Sequence, residues 1–466
     1  MWIMSSTSNP FNPVDETVLP APALAALRAE ATAEIARGAA ERFEEGRGYK
    51  EPEALLCALL ALPDLDAALD PAAPAPDADA IDKAARLSRA VAAAMDAAYG
   101  PEPIAAAAAT GIPESDATFT VADELLAKHD VDASAGAEAR AAASSPAGGA
   151  VGGDRAFETA AAHTFLQRVL YRINRLSHFW YDDLESYSNE RSLFLQALRN
   201  TIERRWQRWE TAQLPAGVAA RCAEAGLDEV QQALKEGYAR DVDPPHSPAL
   251  TFIRDEMGPL GYAHLLAIGS VDGLVEASRQ SRVCAGTANS IQCAVFRVLS
   301  EEYGGGRYAR KHSTFYSAMM QEAGLDTREE AYLDLVPWQA LANANSNFLL
   351  TERRRHYLRY LGALTFFEIN GPSVYKAYLS AGRRCGLSER ACGYWELHIK
   401  EDERHGRQML DEVALPLAAM YPDNAGEVLL GYEQEAFLGA RAGAAVTEAI
   451  RAAEAAAERA ASAGQV

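Results

Sequence analysis

No CxxC pair occurs among the six cysteines, Cys57, Cys222, Cys284, Cys293, Cys385 and Cys392, and their wide scatter suits neither a zinc ribbon nor a disulfide framework. A reducing cytoplasm is the expected setting. Positive charge is scarce: 44 Lys and Arg stand against 65 Asp and Glu, a formal net charge of -21, so the basic stripe that nucleic acids need is missing. No window approaches about eighteen uninterrupted apolar residues, and the first residues lack a basic n-region and an apolar h-region, so neither a membrane span nor an export signal is expected. No Gly-x-Gly-x-x-Gly follows a strand, which argues against a built-in flavin or nicotinamide domain. Alternating β-branched runs are few, whereas apolar residues recur at helical spacing along most of the chain. The expected class is all-α.

With 466 residues the chain can hold two or three domains. Residues 1–20 read as an irregular lead-in. Helical patterning covers 21–62 and resumes near Ile81 to Ala98, and 132–153 has the Ala, Ser, Gly and Pro composition of a flexible linker. Residues 1–153 therefore form an Ala-rich N-terminal region. Aromatics at helical spacing follow, among them Phe157, Phe165, Tyr171, Phe179, Trp180 and Tyr181, with a second strong pattern from Arg191 to Trp209; this 154–240 region reads as core or as a dimerisation surface. His163 and His178 lie here and are expected to pack or face solvent. A helix near Val218 to Tyr238 ends before Pro244-Pro245, helix restarts near Pro248, and 241–446 is helical nearly throughout. Residues 447–466 read as a C-terminal helical tail.

Chemistry concentrates in Glu396 to Gly406. His398, Asp402 and His405 stand at i, i+4 and i+7, within an arc of roughly 60° on one helix face. Two imidazoles and a carboxylate facing inward call for a cation, although a charged, solvated helix gives the same letters. Three upstream segments can complete the set. Asp272 to Ser300, with its small, turn-compatible middle at 284–290, can fold as a helical hairpin that brings Glu276 and Glu302 to the same height. The glycines 304–306 stop the helix just after Glu302, and His312 begins another. That loop leaves the Glu302 carboxylate free to swing when oxygen binds, which makes it the candidate catalytic residue. Glu368 sits in the apolar helix end Leu361 to Pro372, where an unpartnered carboxylate is costly. Glu276, Glu302, Glu368 and Asp402 with His312, His398 and His405 suit two iron ions better than zinc or calcium. Only Asp402-x-x-His405 approaches the Glu-x-x-His motif of ferritin-type sites. Arg279, Arg282, Arg353 and Arg355 could meet a substrate carboxylate, a surface role being the simpler reading.

These pieces together resemble the haem-oxygenase-like diiron oxidases, also called iron-containing redox enzymes: Glu276, Glu301-Glu302-Tyr-Gly-Gly-Gly followed by His312, Leu-x-x-x-Glu368, and His398-x3-Asp402-x2-His405. They span about the C-terminal 200 residues. The resemblance implies a seven-helix bundle without haem, an additional N-terminal helical domain, and all seven residues as ligands of two Fe(II) ions. The likeness is strongest to the N-oxygenase members, through the long gap between Glu302 and His312 and the additional His398. It then implies dioxygen as co-substrate, activated as a peroxo-diferric species, an external electron donor, an amine or guanidine of a small amino-acid-like metabolite as substrate, and a homodimer. A guanidine-oxidising member of that group continues into a C-terminal cupin; no His-rich β tail is found here, so rearrangement chemistry is not expected. The same fold also serves oxidative decarboxylation, desaturation and C–C cleavage. A non-catalytic helical scaffold with an acidic face is the alternative outside enzymology.

Overall fold

Every regular element among the described residues is helical. The computed structural model describes residues 47–70, 73, 76–100, 152–177, 184–286, 289–328 and 330–463. The lead-in at 1–20, most of the expected linker at 132–153, His178, and Phe179 to Tyr181 lie outside them. The N-terminal helices are α1 (Lys50–Leu60), α2 (Leu65–Leu69) and α3 (Ala78–Tyr99). Asp64 and Asp77 begin α2 and α3 by accepting from backbone N–H groups that the first turn cannot satisfy. Next come α4 (Gly152–Arg175), α5 (Leu193–Gln213), α6 (Val218–Glu224), α7 (Leu227–Asp241), α8 (Pro248–Asp255) and α9 (Pro259–Gly273). The remainder is α10 (Ser290–Glu302), α11 (His312–Glu322), α12 (Trp338–Glu352), α13 (Tyr357–Arg384), α14 (Glu389–Gln408), α15 (Leu415–Met420) and α16 (Ala425–Ala463).

Phe165 and Tyr171 on α4 are buried within this chain, so these two belong to its core. His163 packs between the indoles of Trp209 and Trp338, with ring centroids 4.7 and 4.3 Å away. One apolar cluster runs from Leu55 on α1 to Tyr432 on α16. At the centre of the bundle α13 lies along both α14 and α16. Contact with α16 is backbone to backbone: a Cβ on Gly362 would stand 1.9 Å from the Val428 carbonyl oxygen, and one on Gly431 would stand 1.9 Å from that of Arg359. Residues 447–463 of the expected tail continue α16.

Two local expectations are corrected. The stretch from Asp272 to Ser300 is no hairpin of two long arms: α9 stops at Gly273, short 3-10 turns cover Glu276–Ser278 and Gln280–Cys284, and only α10 is a regular helix. Glu276 has φ 29°, a backbone value that an α-helix cannot contain, so the chain must turn there. Glu368 is not at a helix end, because α13 runs on through Pro372 to Arg384. Proline removes one N–H, and in an α-helix the acceptor that loses it is the carbonyl four residues back, that of Glu368. Gly406 of α14 crosses at that point, and a Cβ there would lie 2.8 Å from the Glu368 oxygen. The helix crossing and the carbonyl deprived of its helical donor thus coincide one residue from His405.

Candidate metal centre

Five segments bring the seven expected residues together. Glu276 comes from the turn after α9, and Glu302 from the last residue of α10. His312 is the first residue of α11, where the positive φ values of Gly304, Gly305 and Gly306 let the chain reverse. Glu368 comes from α13, and His398, Asp402 and His405 share the buried face of α14. Glu302, His312, Glu368 and the three α14 residues are all buried.

The atoms fall into two groups with one member in common. Single ligand atoms of Glu276, Glu302, His312 and His398 lie within 4.8 Å of one another, as do those of Glu302, Glu368 and His405. In the first group His312 Nδ1 is 2.7 Å from Glu302 Oε2 and 3.1 Å from His398 Nε2, and His398 Nε2 is 2.9 Å from Glu276 Oε1. In the second, His405 Nδ1 is 3.4 Å from Glu368 Oε2 and 4.0 Å from Glu302 Oε1. Asp402 Oδ1 adds to this side at 3.6 Å from His405 Nδ1.

Neighbouring groups choose the tautomers. His398 Nδ1–H donates to the Tyr394 carbonyl at 2.9 Å, which in the neutral ring leaves Nε2 bare toward the cluster. His405 does the reverse: its Nε2 lies 2.5 Å from Glu301 Oε2, leaving Nδ1 to face Glu302, Glu368 and Asp402. Arg404 also pairs with Glu301 and Glu401 at this outer edge. The Tyr394 hydroxyl donates to Glu276 Oε1 at 2.8 Å. The sequence reading missed Glu301 and Tyr394. Tyr394 lies one helical turn before His398, which could have marked it, but Glu301 can be assigned to His405 only once α10 is placed beside α14.

Electrostatics expose what this cluster needs. Burial pushes the Asp402 carboxyl up to about 7, and the charge of Glu368 pushes the same way. Burial opposes charge on His398, but hydrogen bonding and attraction to Glu276 carry it up to about 10. His405 rises to about 11 through Asp402 and Glu368, again against burial. Protons are therefore held where several carboxylates meet. Even so, Glu276 Oε2, Glu368 Oε2, both Asp402 oxygens and His405 Nδ1 are buried without a hydrogen-bond partner among the described residues. Unpaired lone pairs of this kind, converging from carboxylates and imidazoles, fit divalent cations.

A cavity of about 1110 Å³ opens beside the cluster, with Glu276, Glu302, Glu368, His398 and Asp402 in its wall. Tyr375 and Tyr394 line it against the imidazole of His398, and Trp395 lines it behind them. Arg279 faces this cavity paired to Asp272, which overturns its reading as a surface charge. Arg282 and Arg353 pair with Glu352 and Glu203.

Residues 264–440 match the family of iron-containing redox enzymes. All seven expected residues lie inside that stretch, and the buried carboxylate and imidazole groups fit the iron that its description names. Over 172 residues the chain is also 28% identical to the nitrosourea synthase of Streptomyces achromogenes subsp. streptozoticus. The matched stretch is 35% of this chain and 35% of that relative, so the chain spans about a third of the relative's length. Among the described residues no helix is long and apolar enough to cross a membrane.

Proposed function

We propose that this protein is a non-haem diiron N-oxygenase that transfers one atom of dioxygen to an amine or guanidine nitrogen of a small metabolite. The observation that carries this reading is Glu302, a buried carboxylate common to both ligand groups, which suits two ions bridged by one residue. The partial likeness to a nitrosourea synthase supports nitrogen as the atom oxidised. Glu276, Glu302, His312 and His398 would hold one Fe(II), and Glu302, Glu368, Asp402 and His405 the other. The irons, when bound, supply electrons and Lewis acidity for the reduction of dioxygen.

The chain's own residues orient the ligands and shelter the reacting atoms. The Tyr394 carbonyl fixes the His398 ring, the Tyr394 hydroxyl steadies Glu276, and Glu301 fixes His405. Tyr375 and Trp395 stack 5.4 Å apart beside the cluster and limit water on that side of the cavity. Atoms balance when the amine, dioxygen, two electrons and two protons give the N-hydroxylated amine and one water, with both electrons from an external reductant. The reacting nitrogen contributes its lone pair and must reach the cavity unprotonated.

The test is to load the metal-free protein with Fe(II) under anaerobic conditions, count iron per chain, then admit oxygen with a panel of amines and guanidines and read product masses. Two irons and a gain of one oxygen on nitrogen are expected. Products that have lost carbon would replace N-oxygenation by a carbon-oxidising reaction, and absence of iron uptake would remove the reading altogether.

A further inference from the structure

A second polar set lines the same cavity, and the cluster of iron-type ligands does not use it. Arg279 and Asp272 in this wall are paired to each other. Glu435 on α16 has no such partner. It is 4% exposed, lies in the cavity wall, and no basic side chain forms an ion pair with it among the described residues. Its one hydrogen-bond donor among the described residues is an amide, Asn347 Nδ2, at 3.5 Å from Glu435 Oε2; the Asn343 amide lies near the same carboxylate, and Arg279 acts on it only at longer range. The Asn343 side-chain oxygen is buried without a donor among the described residues. Gln280, also 4% exposed and in the wall, has an unpartnered Nε2, and a 180° turn of the amide would present its oxygen instead.

An ionised carboxylate in this position costs free energy that one amide donor does not recover, and it costs least when a cation with several N–H donors stands before it. Burial accordingly pushes the Glu435 carboxyl up to about 7, the attraction of Arg279 only moderating the shift. Dissolved metal ions would not choose one carboxylate beside neutral amides over the four-carboxylate cluster. An organic cation suits it better.

We infer that Glu435, with the free Asn343 oxygen, is the subsite for a protonated amine or guanidinium on the substrate, a nitrogen distinct from the one that is oxidised. The second half of that statement rests on the N-oxygenase reading above. A nitrogen bound by Glu435 keeps its proton, has no free lone pair and is protected from oxidation. The nitrogen at the cluster end must be neutral. The substrate class is therefore a small molecule with two nitrogen functions, one recognised as a cation and one reacting as a free base, and Glu435 decides which is which.

The experiment titrates the Fe(II)-loaded, oxygen-free protein by calorimetry with 1,5-diaminopentane and agmatine, using 1,5-pentanediol and glutarate as neutral and anionic controls. The dications should bind and the controls should not. Glu435→Gln should weaken dication binding at least tenfold and Asn343→Leu several-fold, with iron content and helicity unchanged in both. Equal binding to wild type and Glu435→Gln overturns the subsite, as do dications that fail to bind or controls that bind as well as they do. Admitting oxygen separates the two readings. Dications bound through Glu435 but never oxygenated would leave the subsite and remove the N-oxygenase reading. Oxygenation with a KM unchanged by Glu435→Gln would remove the subsite alone.

Discussion

His405 shows how a single hydrogen bond sets the direction of a candidate ligand. With Glu301 Oε2 2.5 Å from Nε2, the ring offers Nδ1 to the three carboxylates inside. Outer partners of metal-binding histidines are commonly worth about 10–100-fold in affinity. Glu301→Ala should therefore weaken Fe(II) binding by about that factor, with Glu301→Gln recovering part of it, both read from anaerobic titrations; unchanged affinity in Glu301→Ala would remove this role. Protonation gives a second residue-scale expectation. The folded-state values of Asp402 (about 7), His398 (about 10) and His405 (about 11) all lie above their ordinary ones, so the folded metal-free protein binds protons more tightly than the unfolded chain. Their stabilising effect is fully present below the ordinary values of 3.8 and 6.5 and is lost as pH rises through 7 and then through 10 to 11. The melting temperature of the metal-free protein should fall between pH 6 and pH 8, and Asp402→Asn should flatten that fall. Metal competes with these protons, so Fe(II) affinity should rise over the same range. A melting temperature that climbs from pH 6 to pH 8 would contradict the cluster electrostatics.

Among the elements, α13 matters most, because its glycine-level contacts with α16 and with α14 serve different ends. Gly362 meets the Val428 carbonyl and joins α13 to α16; Gly406 meets the Glu368 carbonyl and joins α14 to α13 beside the ligands. An added methyl must separate the helices in each case, at about 1–3 kcal/mol. Gly362→Ala should lower thermal stability with little effect on iron affinity, whereas Gly406→Ala should lower both, since it moves His405 relative to Glu368. Calorimetric melting and iron titration on the two variants distinguish them, and a Gly406→Ala protein with wild-type iron affinity would show that this crossing does not position the site. Pro372 belongs to the same arrangement. It leaves the carbonyl of Glu368, a proposed ligand, without its helical donor, at the place where a glycine of the next helix approaches.

At the scale of the whole molecule, the proposed ligands come from five segments that adjacency along the chain does not tie together. Without a cation, buried carboxylates this close together hold protons, as the raised Asp402 carboxyl shows. Metal loading should therefore stabilise the entire bundle: at about 100 times the dissociation constant, binding to the folded state alone adds about 2.7 kcal/mol. A rise of several degrees in melting temperature with Fe(II), absent in a His405→Ala, Asp402→Ala double variant, is the expected result. No rise in the wild-type protein would mean that the seven residues do not act as one site.

Sequence by itself determined the helical class, because a 3.6-residue apolar period is a local property, and it determined that His398, Asp402 and His405 share one helix face, whatever surrounds them. The glycine break after Glu302 was equally local. Tertiary structure decided the rest. That Glu276 reaches the site from a strained turn, that Glu302 stands between the two ligand groups, that Glu301 anchors His405, and that Glu435 on α16 faces the same cavity all depend on how helices far apart in sequence cross. Helical rise and period relate residues within one element, whereas the crossings follow from side-chain and glycine packing between elements, which no single stretch of the chain encodes.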